Sequence, residues 1–319
     1  LHSFPTRRSS DLSTLSAAGA AGYGPLHLGT DIGGSVRLPA NWCGIFALKP
    51  SLGRIPIDPP YVGRCAGPMT RTVDDAALMM SVLSQPDGRD GMSLPPHDFD
   101  WSDLDTELRG KKIGLLTDLG FGMALEDDVR RVVTDAARLL AGQGAIVEQV
   151  ELGFTREMMD GLDAFWRARM WDDVSKLSEA QRAQVLPYIV RWAEGGANLS
   201  GVEVVRGFNQ TMAVRAMGAK LFANIDYLIS PVAPVVSFAA DVASPLDDPD
   251  IPFDHILYTV PWNMVENPAA SINAGYSAKG FPIGVQIVGK RFDDLGVLRM
   301  AKAFEGLRGE QQPWPEIAY

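Results

Sequence analysis

The chain has 319 residues, 46% of them apolar and 21% charged, which suits a globular protein with a full core. Its formal net charge of −10 argues against an extended nucleic-acid surface, so no nucleic-acid partner is expected. Two cysteines and four scattered histidines argue against a secreted disulfide framework and a zinc or iron cluster, so neither metal nor cofactor is expected.

The opening segment, "LHSFPTRRSSDL", has no helical or strand period and no apolar core of a signal peptide. It resembles sequencing-adapter read-through, and residues 1–12 are read as a non-native segment. "SAAGAAGYG", from Ser16 to Gly24, reads as a tightly packed helix end closed by Gly22 or Gly24. "PLHLGTD" follows as a short buried strand, left through the glycine turn "IGGS". Thr72 to Ser84 reads as a helix, with Thr72 as N-cap and Asp74 and Asp75 in its first turn. Gln85 to Asp105 is a loop rich in Pro, Asp, Gly and Ser.

A β-α-β unit comes next. "KKIGLLTD" and "AIVEQVEL" are its strands. Between them Val129, Val132, Val133, Ala136, Leu139 and Leu140 recur at helical spacing. A parallel pair with a right-handed crossover is expected. Residues 155–224 read as mostly helical, with core aromatics. "DYLISPVAP" is a further buried strand, and Ala269–Ala274 and Ile283–Val288 are two more around a turn with Gly275 and Gly280. "LGVLRMAKAFEGL" closes the chain as an amphipathic helix. The pattern predicts an α/β protein: a layered α/β/α arrangement whose mixed central sheet is covered by helices. No apolar run approaches the roughly 20 residues that cross a bilayer, so a soluble cytoplasmic protein with no membrane partner is expected.

The chemically suggestive stretch is Asp31–Arg37, "DIGGSVR". A serine hydroxyl attacks an acyl carbon only with a base in hydrogen-bond reach. The oxyanion it creates needs donors at about 2.7–3.1 Å, each worth about 2.7–4 kcal/mol. Ile32, Gly33 and Gly34 precede Ser35, and glycine lets consecutive amides converge into such a cup. A plain turn and a phosphate cradle use the same residues, although neither the G-x-x-x-x-G-K-[ST] nor the G-x-G-x-x-G pattern is present. Spacing by itself leaves these readings open. Asp31 and Arg37 flank the cup and are expected to fix its shape. Arg64 and Thr70 are placed near the acyl pocket, and Asn267 and Pro268 in a turn beneath it. Cys43 has no histidine partner nearby and reads as a structural thiol.

Three segments carry a resemblance. "GTDIGGSVRLPANWCGIFALKPSLGRIP" (Gly29 to Pro56), "GPMTRTVDDAALMMSVL" (Gly67 to Leu83) and "NPAASINAGYSAKGFPIGVQIVGKRFDDLGVLRMAKAFE" (Asn267 to Glu305) are similar to the amidase signature family. The match covers both ends of residues 13–319, which read as the C-terminal portion of a single amidase domain. The middle, residues 100–250, resembles the family only weakly.

The resemblance implies a Ser–cis-Ser–Lys hydrolase of linear, non-peptide amides. Ser35 would be the acyl-forming nucleophile and the amides of Ile32, Gly33 and Gly34 the oxyanion hole. A neutral lysine would be the base and a second serine, in a Gly-Gly-Ser-Ser-Gly-Gly-like run, would relay the proton. That run should fall near Asp11, where Ser9 and Ser10 lack flanking glycines, and the lysine further upstream. Neither role is assigned to a residue of this chain, and Lys49 reads as structural. The expectation is an N-terminally truncated, impaired amidase with a small-molecule amide substrate and, as in relatives, a homodimeric state. The alternatives are a glutaminase-type component of an amidotransferase and an inactive binding protein with the same fold.

Overall fold

The computed structural model describes residues 9–239, 242 and 244–314. Helix α1 (Ser9–Ala21) leads to strand β1 (Leu26–Asp31), helix α2 (Arg37–Cys43), and strands β2 (Phe46–Lys49) and β3 (Cys65–Thr70). Helix α3 (Val73–Leu83), strand β4 (Lys112–Leu115), helix α4 (Asp127–Gly142) and strand β5 (Ile146–Gln149) follow. Helices α5 (Arg156–Val174), α6 (Glu179–Arg182), α7 (Pro187–Glu194) and α8 (Gly201–Phe222) form the central helical block. Strand β6 (Tyr227–Pro231), helix α9 (Pro261–Met264), strands β7 (Ala269–Tyr276) and β8 (Pro282–Gly289), and helix α10 (Asp294–Leu307) complete the order.

The strands form one eight-stranded sheet in the order β1-β3-β2-β7-β8-β6-β4-β5. Pairings from β1 to β6 are antiparallel, and β6-β4 and β4-β5 are parallel. The mixed α/β sheet is thus as expected, and the parallel pair is the one the β4-α4-β5 crossover creates.

Alternation along the strands divides the core in two. Ile283, Val285 and Ile287 of β8, Ile229 of β6 and Ile272 of β7 pack with α3, α4 and α10 on one face. On the other face Val288, Leu228 and Ala269 pack with residues of α2, α5, α8 and α9. The same side also carries buried Ser230, Ser271 and Gln286. A polar strip in the middle of a sheet needs polar partners above it. Helix α2 lies over it, with Asn41 Oδ1 accepting the Gly284 N–H at 2.6 Å.

Local signals explain several boundaries. Helix α1 ends in a Schellman motif: Gly22 has φ +84°, and Tyr23 N–H donates to Ala18 O at 3.0 Å. Thr72 caps α3 by accepting the Asp75 N–H at 3.1 Å. Three expectations need correction. Strand β1 is an edge strand, not a buried one, with Leu26 and Leu28 both more than 40% exposed. Leu139 turns outward on α4, while Leu140 is fully buried, because the buried face is set by Val129, Val132, Val133, Ala136 and Leu140. Residues 9–12, expected to lack a helical period, continue α1; residues 1–8 lie outside the described residues.

The two neighbouring leucines of α4 give a direct check on this packing. Leu140→Ala is expected to cost about 2–5 kcal/mol, while Leu139→Ala should stay within about 1 kcal/mol. Denaturant midpoints of the two variants measure the difference.

Candidate active site

Strand β1 ends at Asp31, and Ile32 to Val36 turn the chain into α2. The turn admits only glycine at its centre. Gly34 has φ +126°, and a Cβ there would stand 2.5 Å from Thr259 Oγ1. At Gly33 a Cβ would come within 2.9 Å of Ile256 Cδ1. The Gly33 carbonyl accepts the Thr259 hydroxyl at 2.5 Å, so a distant segment holds the turn from behind.

Beneath it lies a fully buried ion pair between Asp31 and Arg37. Arg37 Nε and Nη2 donate side-on to the two carboxylate oxygens at 2.9 and 2.8 Å. Its remaining donors reach Asn263 Oδ1 at 2.7 Å, Thr259 O at 2.9 Å and Gln286 Oε1 at 2.6 Å. All five guanidinium hydrogens therefore have an acceptor. The Asp31 carboxylate in turn accepts the amides of Gly34 at 2.8 Å and Val36 at 3.3 Å, and Asn263 Nδ2 at 2.9 Å. Burial pushes the Asp31 carboxyl up, but Arg37, Lys49 and the Asn263 hydrogen bond overcome that and hold it at about 2.

These bonds decide which amides of the turn are already engaged. The Gly34 N–H, expected to point into the cup with Ile32 and Gly33, is committed to Asp31. Among the described residues, the amides of Ile32, Gly33 and Ser35 have no hydrogen-bond partner. Ser35 is partly exposed, and its hydroxyl likewise has no partner among the described residues.

The other candidates separate clearly. Arg64 lies one residue beyond the β1-β3 ladder, whose last pair is Asp31 with Cys65, and so adjoins the end of β1 where the turn begins. Thr70 pairs with Leu26 at the other end of that ladder, about 17 Å of strand away, and is not at the turn. Lys49 is fully buried and donates to Pro50 O at 3.0 Å and Asn267 O at 2.5 Å. Burial lowers its pKa. Asn267 Nδ2 also donates to Gly289 O at 2.6 Å, so Asn267 ties β8 and Lys49 together below the site. Both cysteines are free thiols, and burial raises each to about 11. Cys43 is only partly buried, whereas Cys65 is fully so. Backbone at Ser9 and Ser10 is helical.

Sequence reasoning missed Thr259, Asn263 and Gln286. The available signal was a polar residue inside an apolar run: "VPWNMV" around Asn263 and "GVQIVG" around Gln286.

The Amidase family model matches residues 15–298. The chain is 31% identical over 323 residues to a glutamyl-tRNA(Gln) amidotransferase component from Staphylococcus aureus, covering 91% of this chain and 65% of that protein. Among solved structures it is similar to a bacterial aryl acylamidase of the amidase signature family, with TM-score 0.82, 30% identity and coverage of 92% and 64% of the two chains. The corresponding glutamyl-tRNA(Gln) amidotransferase component from Thermotoga maritima shares the fold at TM-score 0.76 and 24% identity, with coverage of 96% and 68%. The chain spans about 65% of the length of the curated relatives it matches.

The ion pair predicts an acid-labile turn. The folded-state pKa of Asp31 lies below its ordinary 3.8, so its stabilisation is complete above about pH 4 and drains away as the pH falls toward 2. Asp31→Asn, which leaves Arg37 buried and uncompensated, should cost about 3–5 kcal/mol and flatten this acid limb. Denaturant midpoints from pH 2 to pH 7 measure both effects.

Proposed function

The chain belongs to the amidase family, and on that premise we propose that Ser35 is the nucleophile of an amide-hydrolysing site. The observation that carries this reading is the set of unpartnered amides at Ile32, Gly33 and Ser35, on a turn that also bears a partly exposed hydroxyl. An amide carbonyl laid against these donors would be polarised, and its oxygen stabilised as charge develops. Ser35 Oγ would form the bond to the carbonyl carbon, and collapse would break the C–N bond and release the amine. Water would then hydrolyse the acyl ester. Gly34 serves differently from its neighbours: its amide holds the turn to Asp31 and leaves the other three free to face substrate.

The proton of Ser35 has no acceptor among the described residues. Lys49, buried below the site, is turned to carbonyl oxygens on the β2-β7 side. An oxyanion hole without a general base retains only a residual part of the rate, and losing the base typically removes several powers of ten. We therefore propose that this polypeptide binds amides and turns them over slowly or not at all. A second reading, part of an amidotransferase that takes its nitrogen from glutamine, is supported by the name of the Staphylococcus aureus relative. It uses the same turn and the same chemistry.

A neutral fluorophosphonate probe with mass-spectrometric mapping tests the site. Slow modification at Ser35 alone is expected, absent in Ser35→Ala. Faster turnover of simple amides, at the rate of a complete family enzyme, would show that a base is present after all.

A further inference from the structure

The rim of the turn carries a cationic pair without a counterion among the described residues. Arg64 follows Gly63 at the start of β3 next to Asp31, and Asn263 Nδ2 clamps the two segments by donating to both Asp31 O and Gly63 O at 2.9 Å. Arg64 N–H closes a tight turn on Tyr61 O at 3.0 Å, and its Nη2 donates to Pro59 O at 2.7 Å. Its Nε is buried and has no hydrogen-bond partner among the described residues. From α5, the guanidinium of Arg169 lies 4.0 Å from the centre of the Tyr61 ring.

Neither guanidinium pairs with a carboxylate among the described residues. Their neighbours on α5 behave otherwise: Arg156 binds Asp254 at 2.7 Å, and Arg167 binds Asp163 at 2.7 Å. The chain has 39 acidic against 29 basic residues, so acids are not scarce. Burial and the charge of Arg169 lower the pKa of Arg64, while Tyr61, which both arginines flank, acts to raise it. An anion beside these two guanidinium groups would offset both charges and offer an acceptor to their unengaged N–H groups.

Resting on the hydrolase reading above, we propose that the amide taken at the Ser35 turn carries a carboxylate, recognised by Arg64 and Arg169 beside Tyr61. Arg64 precedes Cys65, the β3 partner of Asp31, and so lies beside the start of the turn. A substrate so held is a monoamide of a dicarboxylic acid or an N-acylated amino acid, and the two differ in which side of the scissile bond bears the charge.

Binding by the whole chain, measured calorimetrically, tests this without requiring turnover. Succinamate is compared with neutral succinamide, and N-acetylglycinate with neutral N-acetylglycinamide. At least one anionic member should bind about tenfold or more tightly than its neutral partner. Arg64→Gln should remove most of that preference. Arg169→Gln, on an exposed helix face, should reduce it and guards against a folding defect in the first variant. Equal binding within both pairs overturns the proposal, as does a preference that survives in both folded variants. Fluorophosphonate labelling of the wild type reports separately on Ser35. Absent labelling with an intact anion preference sinks the nucleophile and leaves the carboxylate subsite standing; labelling without the preference does the reverse.

Discussion

The buried pair of Asp31 and Arg37 is the constraint on which the site depends. Burying two charges is costly, and such a pair adds little net stability compared with apolar residues of the same volume. Its value here is geometric. Every donor of Arg37 and both oxygens of Asp31 are engaged, so few alternative arrangements of the turn satisfy them. The carboxylate draws in the amides of Gly34 and Val36, and the amides of Ile32, Gly33 and Ser35 have no partner among the described residues.

The fold is arranged to receive this pair. A sheet face buried by helices is ordinarily apolar throughout, yet here Gln286 and Ser230 sit in its middle. Gln286 accepts from Arg37, and its own amide donates to Ser230 Oγ at 2.9 Å and Tyr258 O at 2.7 Å. Thr259 and Asn263 come from the segment between β6 and β7 and hold the turn from the opposite side. Residues 31–37 thus meet partners more than 200 positions away in sequence. A turn built from long-range contacts forms only when the whole sheet has assembled, and it inherits the rigidity of the sheet.

That rigidity bears on catalysis. Amides that point at an oxyanion before substrate arrives need no reorganisation when charge develops. Electrostatic preorganisation and proton transfer are separate contributions, and on the proposed reading the amides of Ile32, Gly33 and Ser35 would supply the first. On the proposed reading, Arg64 and Arg169 on the β3 side would distinguish ligands by charge and not by the scissile bond itself.

Much of this was legible in the sequence. Period 3.6 in α4, the apolar runs of β7 and β8, the Thr72 cap and the Gly22 helix end are local signals, and the α/β class with its parallel β4-β5 pair follows from them. The Gly-Gly-Ser turn was also legible, because at Gly34 no other residue adopts the backbone conformation without strain. Strand order was not legible: whether β1 is central or at an edge depends on pairing with β3, not on its own apolar residues. Nor could the sequence reveal which amide among Ile32, Gly33, Gly34 and Ser35 is tied back to Asp31. That is settled by where the Asp31 carboxylate lies, and Asp31 is held by Arg37 and Asn263, with Thr259 and Gln286 fixing Arg37 across the sheet. Local pattern determines elements, while hydrogen-bond direction inside a turn is a tertiary property, since the groups that compete for each N–H come from remote parts of the chain.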